Sequence, residues 1–204
     1  IVKRDDESFT GTIKAWDMIL KPIKEQYPDA FFVSEWSSPK DSLRSPFDCD
    51  FLLQDPWKPL HIYMCRGDDP YFKKGISKKA KPYFDFYLDV IKFAKERNKY
   101  VSIISGNHDT VRLKDWLNEE EISLFYIFMY TMPGIPFMYY GDEIGMTYNK
   151  ELRSVEGGYH RTGSRTPMQW DNSSQSGFSS SNNTYIPINS DFQDINVCKS
   201  INDS

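Results

Sequence analysis

Short apolar runs of strand length alternate with helix-length periodic segments along this chain, and that alternation restricts it to a parallel sheet with helices outside. Residues 30–34 are apolar, partly β-branched or aromatic, and run directly into Glu35 and Trp36. Residues 49–53, 100–105 and 137–140 repeat the pattern, so four buried strands are predicted. Before the first strand, Ile13, Trp16, Leu20, Ile23 and Tyr27 fall at helical spacing and stop at Tyr27-Pro28-Asp29. Pro22 lies inside this run, where a lost donor and a crowded preceding turn are expected to kink or divide the helix. Residues 82–97 read as a second helix with Pro82 in its first turn. Asn118 caps a third, whose Glu119, Glu120 and Glu121 suit the positive end of its dipole. The pattern fits an α/β barrel or an open doubly wound sheet equally.

The run 122–140 is nearly free of charge and close to membrane-spanning length, but Pro133, Gly134 and Pro136 break it. It reads as a buried helix followed by a buried strand. A net charge of -4 with mixed signs offers no basic field, so nucleic acid and a membrane surface are not expected as partners. The 16% aromatic content suits sugar platforms, although aromatic rings serve core packing first. Cys49, Cys65 and Cys198 are widely spaced and odd in number, which favours a reducing, cytoplasmic setting. Neither they nor the loop residues His61 and His160 show metal-ligand spacing, so no metal and no cofactor is expected. Two long excursions, 55–81 and 147–196, stand where α/β barrels keep functional loops.

Two strand ends deliver carboxylates. Glu35 follows the first strand, flanked by Ser34 and Trp36; half-buried beside an aromatic ring, it would have its charged form disfavoured and could act as an acid. Read without context, a strand-end glutamate in a salt bridge is the plainer account. Asn107-His108-Asp109 follows the third strand, with Gly106 permitting a tight exit. The C-terminal ends of parallel strands share one face, so Glu35 and Asp109 are expected to point into a common cleft. Paired carboxylates on one rim are the minimum for glycoside hydrolysis, where one protonates the leaving oxygen and another stabilises the oxocarbenium-like centre. His108 could donate to a sugar hydroxyl, or be a core histidine held in one tautomer.

Four stretches, FFVSEWSSP (31–39), GNHDTVR (106–112), GIPFMYYGDEIGM (134–146) and RTGSRTPMQWD (161–171), occur in the order of the conserved regions of glycoside hydrolase family 13. The chain resembles that α-amylase superfamily over nearly its whole length. The last stretch, continued by Gly177-Phe178-Ser179 and Tyr185-Ile186-Pro187-Ile188-Asn189, is similar to oligo-1,6-glucosidases and α-glucosidases. The resemblance implies the later part of a catalytic (β/α)8 TIM barrel over 1–204: roughly the fifth to eighth strands with their helices and a long loop after the eighth. The N-terminal half of the barrel and the C-terminal β-domain would then lie outside these residues.

By resemblance Glu35 is the general acid/base, Asp109 the carboxylate that stabilises the transition state, and His108 a ligand of the sugar ring. Arg112 and Arg165 are implied secondary substrate contacts, and Asp142 and Glu143 rim structure. The family's nucleophile stands in a Gly-Phe-Arg-x-Asp type motif that does not occur here; IVKRDDES (1–8) resembles the segment after it, and Asp5 and Asp6 are poor substitutes. The implied activity is retaining hydrolysis of α-glucosidic bonds in oligosaccharides or disaccharides. Glucosyl transfer or isomerisation on the same scaffold is the enzymatic alternative. A barrel homologue without catalysis, acting as a binding or transporter-associated protein, is the other.

Overall fold

The computed structural model describes residues 6–53, 70–76, 80–154 and 161–202, with side chains from residue 10 onward. His61, Cys65 and His160, and most of the 55–81 excursion, lie outside the described residues. The chain forms two compact units. The first comprises Ile1–His61, Lys78–Ile103 and Met132–Pro136; the second comprises Ile62–Ser77, Ile104–Thr131 and Phe137–Ser204.

In the first unit helix α1 (Asp6–Gln26) leads to strand β1 (Val33–Ser34), the short helix α2 (Pro39–Ser42), strand β2 (Cys49–Phe51), helix α3 (Lys81–Lys95) and strand β3 (Tyr100–Ile104). The predicted division of α1 at Pro22 does not occur: one helix runs through it. The carbonyl deprived of a partner by Pro22 belongs to Met18, which is 78% exposed, so water can satisfy it. Leu20 of this helix is buried, and the ring of Trp16 meets Phe47 edge to face at 4.8 Å. On α3, Tyr83, Tyr87, Val90 and Ala94 recur at helical spacing and are all buried. Tyr83 and Tyr87 stack at 5.6 Å, and the Tyr87 hydroxyl donates to the Pro133 carbonyl.

Strands β1, β2 and β3 are parallel, with Val33 and Ser34 opposite Cys49 and Asp50, and Cys49, Asp50 and Phe51 opposite Tyr100, Val101 and Ser102. Strand β4 (Ile135–Phe137) completes a four-stranded sheet in the order β1-β2-β3-β4. Consecutive parallel strands in sequential order, joined through helices, are the repeating βα unit of a barrel sheet. The fourth strand starts two residues earlier than the apolar run suggested. Residues 138–141 are needed instead for the loop that carries Asp142.

In the second unit helix α4 (Glu119–Thr131) begins with a reciprocal cap: Glu121 N donates to Asn118 Oδ1 at 3.0 Å and Asn118 N to a Glu121 carboxylate oxygen at 2.9 Å. Ile122, Phe125 and Met129 are buried, and Phe72 packs on Phe125 and Phe128. The helix is not buried all round as its sequence suggested, because Leu124, Ile127 and Tyr130 face outward. A single turn at Leu113–Asp115 precedes this helix, others at Asp142–Ile144, Thr162–Ser164 and Ser174–Gly177 follow it, and helix α5 (Val197–Asn202) ends the described chain. No helix among the described residues is long and apolar enough to cross a membrane.

Candidate active site

Glu35 leaves β1 at its C-terminal end and is exposed. The half-burial expected of it is absent: Glu35 is exposed while Ser34 before it is buried and Trp36 after it is half-buried. Ser37 adopts a left-handed φ of 59°, so the chain turns sharply within the segment 35–38. Glu35 borders a cavity of about 370 Å³ lined by Trp16, Val33, Ser34, Trp36 and Phe47. Beneath it lies Asp50, in the middle of β2 and wholly buried. Its carboxylate accepts from Ser34 Oγ at 2.6 Å, Trp36 N at 3.0 Å and Ser38 N at 2.9 Å. Burial pushes the Asp50 carboxyl above the ordinary aspartate range, against these hydrogen bonds, which favour its ionised form. The neighbouring Cys49 thiol is pushed up to about 12 by burial and the charges of Asp50 and Asp48, so it is a packing group and not a nucleophile.

The loop after β3 builds the corresponding site of the second unit. Asp109 N donates to Asn107 Oδ1 at 3.0 Å, an Asx turn that presents His108 and Asp109 outward, both exposed. Arg161 and Arg165 flank the single turn Thr162–Ser164 and converge on one oxygen: Arg161 Nη1 reaches Asp109 Oδ1 at 2.9 Å and Arg165 Nη2 at 3.0 Å. Arg165 Nε also donates to the His108 carbonyl at 3.1 Å, and His108 Nε2 stands 3.5 Å from Asp109 Oδ1. Desolvation would raise the Asp109 carboxyl, but the hydrogen bonds from Arg165 and Arg161 and the charges of His108 and Arg161 outweigh it. The group is held below the ordinary carboxylate value.

Arg112, named from sequence as a substrate contact, is instead 1% exposed. Its Nη1 donates to the Tyr140 carbonyl at 2.7 Å and to Asp142 Oδ1 at 3.2 Å, and its Nη2 donates to the Ser164 carbonyl at 3.0 Å. The rings of Tyr139 and Tyr140 lie 4.9 and 5.0 Å from the guanidinium carbon. A guanidinium occupied in this way is a scaffold for the loops after β3 and β4, and it has no face for a sugar. Asp142 is its buried partner and also accepts from Ser105 Oγ at 2.8 Å, so it is interior to the rim rather than on it. Gly141 permits this crossing: its φ is +83°, and a Cβ there would stand 2.3 Å from the Met146 sulfur.

Arg161 was missed as a candidate. The signal was present, since it stands four residues before Arg165 in the same RTGSR stretch and brackets one tight turn with it. The sequence also did not reveal a cavity of about 540 Å³ formed by Tyr140, Glu143, Arg165, Trp170, Phe178 and Tyr185 with their neighbours. Its aromatic walls, with a few polar groups set among them, are the composition of a small-molecule site. Arg165 belongs both to this cavity and to the Asp109 cluster.

A parallel sheet whose strands hand on to loops bearing exposed carboxylates defines an α/β protein of the kind that keeps its chemistry at strand C-termini. The family model for the α-amylase catalytic domain matches residues 11–204, and the chain belongs to that family, glycoside hydrolase family 13. Salivary alpha-glucosidase of Aedes aegypti is 38% identical over 117 residues, covering 51% of this chain and 20% of that protein. The amino acid transporter heavy chain SLC3A1 of Mus musculus is 38% identical over 101 residues, covering 48% of this chain and 15% of that protein. The match thus spans a fifth or less of either relative. Among solved structures, Bacillus licheniformis trehalose-6-phosphate hydrolase superposes with a TM-score of 0.60 at 18% identity, over 85% of this chain and 37% of that one. MutB from crystals soaked with trehalulose gives 0.63 at 18% identity, over 93% and 40%. At such identities the likeness is one of fold, and the fold implied is the (β/α)8 barrel.

Proposed function

We propose that the protein containing these residues is a retaining hydrolase of α-glucosidic bonds in oligosaccharides or disaccharides. Glu35 is its general acid/base and Asp109 the carboxylate that stabilises the positive charge developing on the sugar. His108 is a hydrogen-bonding ligand of the ring bearing the scissile bond, and Arg165 a substrate-side contact. The reading rests chiefly on Asp109: a strand-end carboxylate that is exposed yet held ionised by Arg161 and Arg165. A carboxylate meant to oppose an oxocarbenium-like centre must stay charged throughout the reaction, and a low proton affinity secures that. The aromatic cavity that shares Arg165 adds flat apolar surfaces on which pyranose faces stack. No Gly-Phe-Arg-x-Asp motif occurs among the 204 residues, so no nucleophile is assigned to them.

The test is the anomer first released by the full-length protein from an α-glucoside, followed by NMR. Two displacements restore the starting configuration, so the α-anomer is expected; the β-anomer would overturn the retaining mechanism. Products in which a second sugar replaces water would move the assignment to glucosyl transfer or isomerisation.

The similarity to an amino acid transporter heavy chain supports a second reading, that of a partner protein without catalysis. Glu35, His108 and Asp109 are all in place here, which favours the enzyme. Absence of turnover on α-linked disaccharides and aryl α-glucosides alike would favour the partner protein.

A further inference from the structure

Asp50 is a buried carboxylate with no role in the chemistry so far described, and its placement is costly. Sinking a carboxylate into a sheet requires hydrogen bonds to offset lost hydration, and an apolar residue would pack β2 without that demand. The three donors it collects are not scattered. Ser34 Oγ, Trp36 N and Ser38 N belong to the residue before Glu35, the residue after it, and the residue beyond the left-handed Ser37. Ser34 lies directly opposite Asp50 in the parallel ladder, so β2 aims this carboxylate at the point where β1 ends. The Glu35 side chain is exposed directly beyond the C-terminal end of β1, between buried Ser34 and the segment that carries the two backbone amide donors.

We infer that Asp50 is the positioning residue of Glu35: its carboxylate clamps the backbone on both sides of that residue and holds the strained turn that presents it. The inference rests on the acid/base assignment of Glu35. The clamp acts on the rate of proton transfer, because a misplacement on the order of 1 Å at a reacting group costs about 100-fold. An asparagine at this position keeps the size but offers one acceptor oxygen, and its NH₂ group cannot accept from Ser38 N or Trp36 N.

The experiment is a double-mutant cycle on the full-length protein with an α-linked disaccharide, combining Asp50→Asn with Glu35→Gln, alongside amide hydrogen exchange at Trp36 and Ser38. Asp50→Asn is expected to lower kcat about 10- to 100-fold with KM little changed, and to speed exchange at both amides. In the Glu35→Gln background it should cost almost nothing further, because the group being positioned is gone. Equal losses in both backgrounds, or an unchanged kcat with protected amides, would overturn the positioning role while leaving Glu35 its function. A harmless Glu35→Gln would overturn both. If Asp50→Asn fails to fold, Ser34→Ala removes one of the three bonds alone and is expected to show the same dependence on Glu35 at smaller size.

Discussion

Four charged groups near the strand ends, Arg112, Asp142, Asp109 and Glu35, have different fates, set by what surrounds each. Arg112 and Asp142 face each other with side chains 0% and 1% exposed. Removing one member strands the other without water, so Arg112→Met is expected to cost about 3–5 kcal/mol and to lower Tm in a thermal melt. A variant that melts like the parent would show that Asp142 finds another partner. Asp109 is held low by Arg165 and Arg161 and gains from being ionised in the fold. Its contribution is complete above the unfolded carboxyl value, about 4, and is lost as pH falls through the lower folded value. Arg165→Ala should raise the Asp109 carboxyl toward the ordinary range, as read by NMR titration, and lower kcat/KM in the full-length protein. An unmoved titration would place the low value elsewhere, and an unchanged kcat/KM would make Arg165 scaffold. Glu35→Gln should be severe for disaccharides and milder in the glycosylation step of an activated aryl glucoside, whose leaving group needs no proton. Equal damage to good and poor leaving groups would remove Glu35 from the acid role.

At the scale of elements, the strands are short and the loops do the placing. Strand β1 has two residues, so its exit is defined by Asp50 on the neighbouring strand and not by its own length. The loop after β4 depends on Gly141, whose left-handed backbone and lack of a Cβ bring Met146 and Arg112 against it. Gly141→Ala is expected to cost at least about 1–2 kcal/mol from the backbone alone, with the clash at Met146 added, measured by denaturant unfolding. Helix α4 starts on a reciprocal Asn118–Glu121 cap, and Asn118→Ala should cost about 1 kcal/mol by the same measurement. A cost near zero would mean that the packing of Ile122 and Phe125 holds the first turn without its cap.

At the scale of the whole chain, the sheet is open in the described residues, with β1 and β4 as its outer strands. Outer strands present unpaired backbone groups, and the first unit also exposes Met18, Ile19 and Phe31. The 204-residue chain produced alone is therefore expected to self-associate with rising concentration in sedimentation. A monomer at all concentrations would show the edges to be protected. The same chain, lacking a Gly-Phe-Arg-x-Asp motif, is expected to leave an aryl α-glucoside intact.

The alternation of apolar runs with helical spacing was enough to establish the parallel strands, their order of appearance and the carboxylates that follow them, because period and strand length are local properties. The motif order established the family for the same reason, and the Asn118 cap was legible within four residues. The partners of the long charged side chains were not. Arg112 meets Asp142 across 30 residues and Arg161 meets Asp109 across 52, separations at which no periodicity carries information. Arg112 and Arg165 therefore read alike in the sequence, and the packing of loops decided that Arg112 is buried as scaffold while Arg165 faces the candidate catalytic carboxylate. The exposure of Glu35 was settled in the same way. Its neighbours in sequence are an apolar strand and a tryptophan, which argue for burial, but a carboxylate on the adjacent strand draws the backbone around it inward and leaves Glu35 itself in solvent.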